Sequence, residues 1–234
     1  MALHAVVPAA GAGKRFGSTL PKQYLLLAGL PVMSRTLSCL SAIPGLQHLV
    51  VAVAPDDARA RELPLARPDR ITWVSGGAER SDSVLAGLLA LTAAGAADSD
   101  WVLVHDVARP LLRVADVQRL VAAVVDHPVG GLLAMPVRDT MKRADAAGAV
   151  EATVPRELLW HALTPQLFRL GLLREALQSA LADGVQVTDE ASAVERLGLR
   201  PLLVEGARDN LKITYPDDLA LAEALLAASQ ESAS

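Results

Sequence analysis

Aromatic side chains make up only 3% of this 234-residue chain, and cysteine occurs once, as Cys39. The first shortage means that a core must be aliphatic, with Trp73, Trp101 and Trp160 as its rare large fillers. The second excludes an internal disulfide and a cysteine-based zinc site, and it suits a reducing compartment. Cys39 lies in an apolar, helix-like run and reads as a buried, inert thiol. The chain also lacks any stretch rich enough in lysine and arginine to form a basic face: 22 basic against 26 acidic residues leave a net charge of −4. That disfavours a nucleic-acid binder working by counterion release. No window approaches the roughly 18 continuous apolar residues of a membrane span. The opening MALHAVVP has no charged leader, long apolar stretch or cleavage site. The expectation is a cytoplasmic protein with neither a membrane nor a nucleic acid as partner.

Hydrophobic residues make up 52% of the chain, enough for a substantial core. They fall in a repeating order. Short apolar runs at 3–7, 49–55, 71–77, 100–106 and 130–137 alternate with helical stretches at about 31–42, 80–94, 114–126, 170–183 and 216–228. Apolar strands alternating with amphipathic helices predict an α/β fold: one doubly wound, Rossmann-like domain over 1–234 with a mostly parallel sheet covered on both faces. The last helix has a start signal in Pro216, with Thr214 or Asp217 as its cap.

One segment departs from this order. VRDTMKRADAAGAVEATVPR, 137–156, places Arg138, Asp139, Lys142, Arg143 and Glu151 around a turn at 145–148, so neither face can enter a core. Such a ribbon is a solvated hairpin or an arm packing on another subunit, and the marginal stability of an isolated hairpin favours the protruding β-arm.

The first strand runs into PAAGAGKRFGSTLPKQY, 8–24. A dinucleotide-binding turn needs GxGxxG, but GAGKRFG has its third glycine one place late and two cations inside. A P-loop needs Ser or Thr after Gly-Lys, where Arg15 stands. A loop whose backbone N–H groups wrap a triphosphate, with Arg15 and Lys22 neutralising it, accounts for both the glycines and the cations.

AAGAGKRFG followed by PKQY resembles the loop of nucleotidyltransferases. Further blocks run along the chain: GGAERSDSVLAGL, VLVHDVARP, PVRDTMKR, LWHALTPQ, TDEASAVE and EGARDNLKIT. Together they resemble the 2-C-methyl-D-erythritol 4-phosphate cytidylyltransferase (4-diphosphocytidyl-2-C-methyl-D-erythritol synthase) family. The resemblance implies cytidylyl transfer from CTP to 2-C-methyl-D-erythritol 4-phosphate with release of pyrophosphate, a magnesium ion, and a homodimer built through the arm. A cytidylyltransferase for another polyol phosphate, such as ribitol 5-phosphate, is the alternative; Thr140, Arg156 and Thr164 discriminate, and PVRDTMKR with LWHALTPQ favours the methylerythritol enzyme.

The resemblance also implies roles. Arg15 and Lys22 stabilise the transition state, with Lys14 beside them as a partner, and Arg156 and Lys212 join them as catalytic cations. Gly11, Ala12 and Gly13 donate backbone hydrogen bonds to the phosphates. Gly77 and Ser83 read cytosine, with Arg80 nearby and the backbone of Ala9 and Ala10 completing the base pocket. Asp106 meets magnesium or a substrate hydroxyl, Arg109 grips the substrate phosphate, and Thr164 and Lys212 position the polyol phosphate. Thr140 and Arg156 reach the neighbouring subunit's pocket, and Asp209 supplies a second metal contact. Ala78 stands where family members often carry aspartate, and Val107 where alanine is common. The attacking phosphate monoester is already ionised near neutral pH, so no general base is required, and His105 and His161 read as structural.

Overall fold

In strand β1, Leu3–Pro8, Ala5 and Val7 enter one hydrophobic cluster and Val6 another. The same alternation recurs where β4, Leu46–Val53, sends Val51 to the first cluster and Val50 to the second. A strand with period-two side chains that are apolar on both faces needs cover on both faces. This is the physical basis of the doubly wound architecture.

The computed structural model describes residues 1–11 and 20–231. After β1 come β2 (Leu26–Leu27), β3 (Leu30–Pro31), α1 (Val32–Ser41), β4 (Leu46–Val53), β5 (Ile71–Ser75), α2 (Arg80–Ala93), β6 (Trp101–Val104) and α3 (Val114–Val124). They are followed by β7 (Gly130–Pro136), β8 (Met141–Ala144), β9 (Val150–Val154), β10 (Trp160–Arg169), α4 (Leu170–Ala182), α5 (Glu190–Glu195), β11 (Leu202–Glu205) and α6 (Pro216–Glu231). The central sheet has seven strands in the order β11-β7-β10-β6-β1-β4-β5. All its pairings are parallel except those of β10, which runs antiparallel to β6 and β7. Met33, Leu37 and Leu40 of α1 and Val117, Leu120 and Val124 of α3 fill the first cluster. Val84, Leu88 and Leu91 of α2 and Leu173 and Leu177 of α4 fill the second. A Cβ on Gly87 would sit 2.5 Å from a Val6 methyl, so a glycine lets α2 lie close on β1.

The single α/β domain, its five long helices and its first parallel strands agree with the sequence reading. β10, β11 and α5 were not expected. Trp101 is buried as anticipated, but Trp160 stands 36% exposed at the start of β10 and fills no core. The carboxylate that accepts hydrogen bonds ahead of α6 belongs to Asp218, which takes the N–H groups of Thr214 and Tyr215 at 2.7 and 2.8 Å, rather than to Asp217. Cys39 is half-buried, and burial pushes its thiol pKa up.

The ribbon is a separate two-stranded sheet, β8 against β9. Its turn is fixed by Asp145 Oδ1, which accepts from the N–H groups of Ala147 and Ala149 at 2.9 Å each, and by Gly148 at φ +83°. Among the described residues no helix is long and apolar enough to cross a membrane.

Candidate active site

β6, β1, β4 and β5 run parallel in that order, and the connections after β1, β5 and β6 surround a cavity of about 210 Å³. Its wall includes Ala9, Ala10 and Gly11 after β1, Gly77 to Arg80 after β5, Asp106 after β6, and Lys22, Gln23 and Lys212. This is where an open α/β sheet places a ligand, because the unpaired ends of the strands and the N-termini of the following helices converge there. α2 begins at this wall, and Asp82 accepts the N–H of Glu79 at 3.0 Å.

The loop geometry follows from particular side chains. A Cβ on Gly76 would lie 2.7 Å from both the Ala10 Cβ and the Ser83 Oγ, and one on Gly77 would collide with Asp82, so only glycine permits this approach of the two loops. Ser83 accepts the N–H of Gly77 at 3.2 Å and donates to the carbonyl of Glu79 at 3.3 Å. Buried Gln23 donates through Nε2 to the carbonyls of Ala9 (3.1 Å) and Gly11 (3.3 Å), tying the end of β1 to the PKQY segment. Tyr24 donates to Asp57 at 2.5 Å. In PKQY, then, the glutamine and tyrosine build the cradle while the lysine faces into it.

Asp106 is the electrostatic centre. Its Oδ1 accepts from Arg80 Nε at 3.0 Å and its Oδ2 from Lys212 Nζ at 2.7 Å, with Arg109 Nε 3.7 Å from Oδ2. Burial alone would raise the carboxyl's pKa, but the charges of Arg80 and Lys212 hold it well below the usual carboxylate range. Arg80 is held in turn by Glu190, whose two oxygens accept from Nη1 and Nη2 at 2.6 and 3.0 Å. Burial opposes the Arg80 charge, yet Glu190 and Asp106 together raise its pKa. Glu190 went unassigned in the sequence reading although TDEASAVE was singled out. A glutamate at the first position of a helix is unremarkable until its partner, 110 residues away, is known.

Segments distant in sequence are stitched together here. Lys22 Nζ donates to the carbonyl of Ile213 at 2.7 Å, and the Ile213 N–H donates to the carbonyl of Ala108 at 2.9 Å. Arg109 donates to the carbonyl of Asn210 at 2.7 Å, and Asn210 Nδ2 to that of Thr164 at 2.7 Å. The HDVARP, ALTP and DNLKIT blocks thus form one hydrogen-bonded unit that carries Asp106 and brings Lys22 and Lys212 to the same wall.

His105 belongs to the support and has no exposed surface. The Arg109 carbonyl can only accept, so Nε2–H donates to it at 3.0 Å, and Nδ1 accepts the Thr164 hydroxyl at 3.0 Å. Thr164 Oγ1 accepts the Asp106 N–H at 3.1 Å. Burial pushes the imidazole down to about 4, against the opposing hydrogen bond to Arg109. In the unfolded chain it titrates near 6.5 (about that value for a free imidazole), so between these values the unfolded state binds more protons and stability falls as pH falls. Urea unfolding should show this group contributing about 2 kcal/mol of lost stability between about pH 7 and pH 5. His105→Asn should be less stable overall and should lack that part of the slope; equal slopes in the two proteins would refute the assignment.

Not every expected residue lies in the cavity wall. Arg109 and Thr164 are buried behind Asp106. Thr140 and Arg156 are exposed on the arm, with Arg156 donating to the Arg138 carbonyl. Asp209 pairs with Arg113 and lines a different groove, so the structure does not bring it to Asp106. His161 is exposed in β10. Ala12, Gly13, Lys14 and Arg15 lie outside the described residues.

Comparison with known proteins agrees with this geometry. The family model for 2-C-methyl-D-erythritol 4-phosphate cytidylyltransferase matches residues 3–228. A protein of that name from Chromobacterium violaceum is 56% identical over 227 residues, covering 97% of this chain and 99% of the relative. Another from Ectopseudomonas mendocina is 57% identical over 215 residues, 92% of each. Among solved structures, a 4-diphosphocytidyl-2C-methyl-D-erythritol synthase superposes with a TM-score of 0.83 at 40% identity, covering 96% of this chain and 98% of the other. The Francisella tularensis 2-C-methyl-D-erythritol 4-phosphate cytidylyltransferase gives 0.82 at 33% identity, with 95% and 98% covered. With a family model over nearly its whole length and relatives above half identity, the chain belongs to the 2-C-methyl-D-erythritol 4-phosphate cytidylyltransferase family.

Proposed function

We propose that the cavity beyond β1, β5 and β6 carries out the reaction of this family. An oxygen of the phosphate of 2-C-methyl-D-erythritol 4-phosphate attacks the α-phosphorus of CTP. The bond from that phosphorus to the oxygen bridging to the β-phosphate breaks, and pyrophosphate leaves with the electron pair. The products are pyrophosphate and 4-diphosphocytidyl-2-C-methyl-D-erythritol, an isoprenoid precursor. The observation that carries the reading is that Lys22 shares one cavity wall with the Arg80–Asp106–Lys212 cluster, beside a glycine-bounded loop.

The nucleophile needs no base, because a phosphate monoester with a second pKa of about 6 is largely dianionic near neutral pH. What it needs is help in approaching a second anion. Lys22, with Arg15, meets the negative charge that grows on the phosphoryl oxygens and the leaving pyrophosphate, while Lys212 offers a point charge to the acceptor phosphate. The backbone of Ala9, Ala10 and Gly77 borders the cytosine, and Ser83 keeps the Gly77 loop in place.

A divalent ion fits this donor set in one way. Magnesium is commonly held by one or two carboxylates together with substrate phosphates, and of the wall's carboxylates, Glu79 and Asp106, Asp106 is the one set among the cations; among the described residues no group of three acidic, histidine or cysteine side chains gathers. Magnesium would therefore be held by Asp106 and the triphosphate, where it neutralises phosphate charge. The reading leaves out Asp209, turned toward Arg113.

The arm completes the site from a second copy of the chain. The β8–β9 sheet stands apart from the central one, exposes Val150 at 65% and is followed by Leu158 at 90%. Its Thr140 and Arg156 are outside the cavity of their own chain. A marginal ribbon with exposed apolar residues gains stability by packing on a partner. Arg156→Ala should impair use of the polyol phosphate, and mixing it with a Lys22→Ala chain should restore some activity in heterodimers. Absence of any restoration would count against a shared site.

The direct test is pyrophosphate release from each of the four nucleoside triphosphates, with methylerythritol phosphate, with ribitol 5-phosphate and with no acceptor. Release that requires both CTP and methylerythritol phosphate is expected; release with another nucleotide or acceptor of equal efficiency would overturn the assignment.

A further inference from the structure

Glu190 is fully buried, and a buried carboxylate is tolerated only when paired and hydrogen-bonded. Its partner is a residue of the cavity wall. Both of its oxygens face Arg80, one on each terminal nitrogen, and Arg80 turns Nε to Oδ1 of Asp106 at 3.0 Å. A guanidinium has a fixed planar fork, so a carboxylate that occupies both terminal nitrogens also fixes where Nε points. The second oxygen of Asp106 meets Lys212 at 2.7 Å. Charges therefore alternate along Glu190, Arg80, Asp106 and Lys212.

Glu190 is itself set from two sides. Asp189, just before it, accepts the Ser192 N–H at 2.9 Å and the Gln166 Nε2–H at 2.8 Å, and Gln166 Oε1 accepts the Ala191 N–H at 2.7 Å. Because Gln166 lies in β10 beside β6, the carboxylate of Glu190 and the strand that ends at Asp106 share one rigid frame.

We propose that Glu190 is a positioning residue of this site: by holding both terminal nitrogens of Arg80 it fixes the plane of the guanidinium and points Nε at Asp106, so that Oδ1 of Asp106 is fixed to the protein and Oδ2 faces Lys212 and the incoming ligands. It also keeps the Arg80 terminal nitrogens from turning toward the triphosphate. Without Glu190, Arg80 becomes one more cation able to take phosphate oxygens, and Asp106 loses its fixed orientation. The two consequences act in opposite directions on binding of nucleotide and on turnover. This inference rests on the reading of the cavity as the cytidylyl-transfer site.

The test is Glu190→Gln, which keeps the side-chain shape but sets an amide donor against the Arg80 donors. Turnover with CTP and methylerythritol phosphate should fall about tenfold to a hundredfold. The Kd for CTP alone, measured calorimetrically, should tighten or stay within about twofold of the original. A loss of CTP affinity in step with turnover would mark Glu190 as a general support of the fold and overturn the proposal, as would unchanged turnover. In a chain already carrying Arg80→Ala, Glu190→Gln should add less than about twofold to the loss, because the two act as a unit; multiplying losses would also overturn it. Should Glu190→Gln fail to fold, Glu190→Asp keeps the charge, shortens the fork, and is expected to show the same split between turnover and CTP affinity to a smaller extent. A wild-type chain that releases no pyrophosphate from CTP and methylerythritol phosphate would sink the reading of the cavity, whereas an active wild type with an unaltered Glu190→Gln would sink this inference alone.

Discussion

Replacing Lys22 with alanine is expected to lower kcat by about 10²- to 10³-fold while moving the KM for CTP far less. The ammonium is anchored by the Ile213 carbonyl at 2.7 Å, one residue from Lys212, so its position is set by the protein before any ligand arrives. A preplaced charge stabilises most strongly the state in which negative charge is most concentrated, here the five-coordinate phosphorus and the departing pyrophosphate. Steady-state kinetics with CTP and the acceptor varied separately would resolve this. Unchanged turnover with a large rise in the KM for CTP would instead assign Lys22 to ground-state binding.

Asp106→Asn should have the second large effect, a loss of turnover on the order of 10²-fold or more, since the groups that Asp106 orients would each be displaced. It should also cost stability. The carboxylate is shared by Arg80, Lys212 and Arg109, and neutralising one member of a buried charged network typically destabilises by about 3–5 kcal/mol. The pH dependence separates this term from that of His105. The folded pKa of Asp106 is depressed, so its contribution is fully present above the ordinary carboxylate value of about 3.9 and is lost as pH falls through the folded pKa. The stability gap between wild type and Asp106→Asn should therefore stay level from about pH 8 to pH 5, the range over which the His105 contribution declines. A gap that closed within that range would mean that Asp106 is not ionised and paired as described.

The extent to which all this was legible in the sequence varies with the range of the interactions. β1, β4, β5 and β6 announce themselves because a strand apolar on both faces has few alternatives, and α1 to α4 because their apolar stripes meet those faces. β10 does not: it contains Pro165, and its pairing with β7 shifts register between Ala162 and Gln166, so the local pattern of a strand is interrupted where the ALTP block meets His105 and Asp106. β11 has only four residues and is defined by its neighbour β7. The charged ribbon was legible because a segment with no apolar face cannot be core.

At the site, Lys22 was legible from the glycines and cations of the 8–24 stretch, Asp106 and Lys212 from the resemblance to family motifs, and geometry brings them to one wall. The resemblance gave no separation between residues that face the cavity and residues that hold others in place. Arg109, Thr164 and His105 prove to be packed behind Asp106, and Glu190 acts on Arg80 at a distance in sequence that no local motif encodes. Asp209 was reached by analogy, and its pairing with Arg113 is a contact that only the fold reveals.

A crystal structure with CTP bound would test the central claim most directly. The account predicts a triphosphate lying in the cavity beyond β1, β5 and β6, with Lys22 Nζ within hydrogen-bonding distance of its oxygens and the cytosine against Ala9, Ala10 and Gly77. A nucleotide seated elsewhere, with its phosphates away from Lys22 and Asp106 still closed on Lys212, would contradict it.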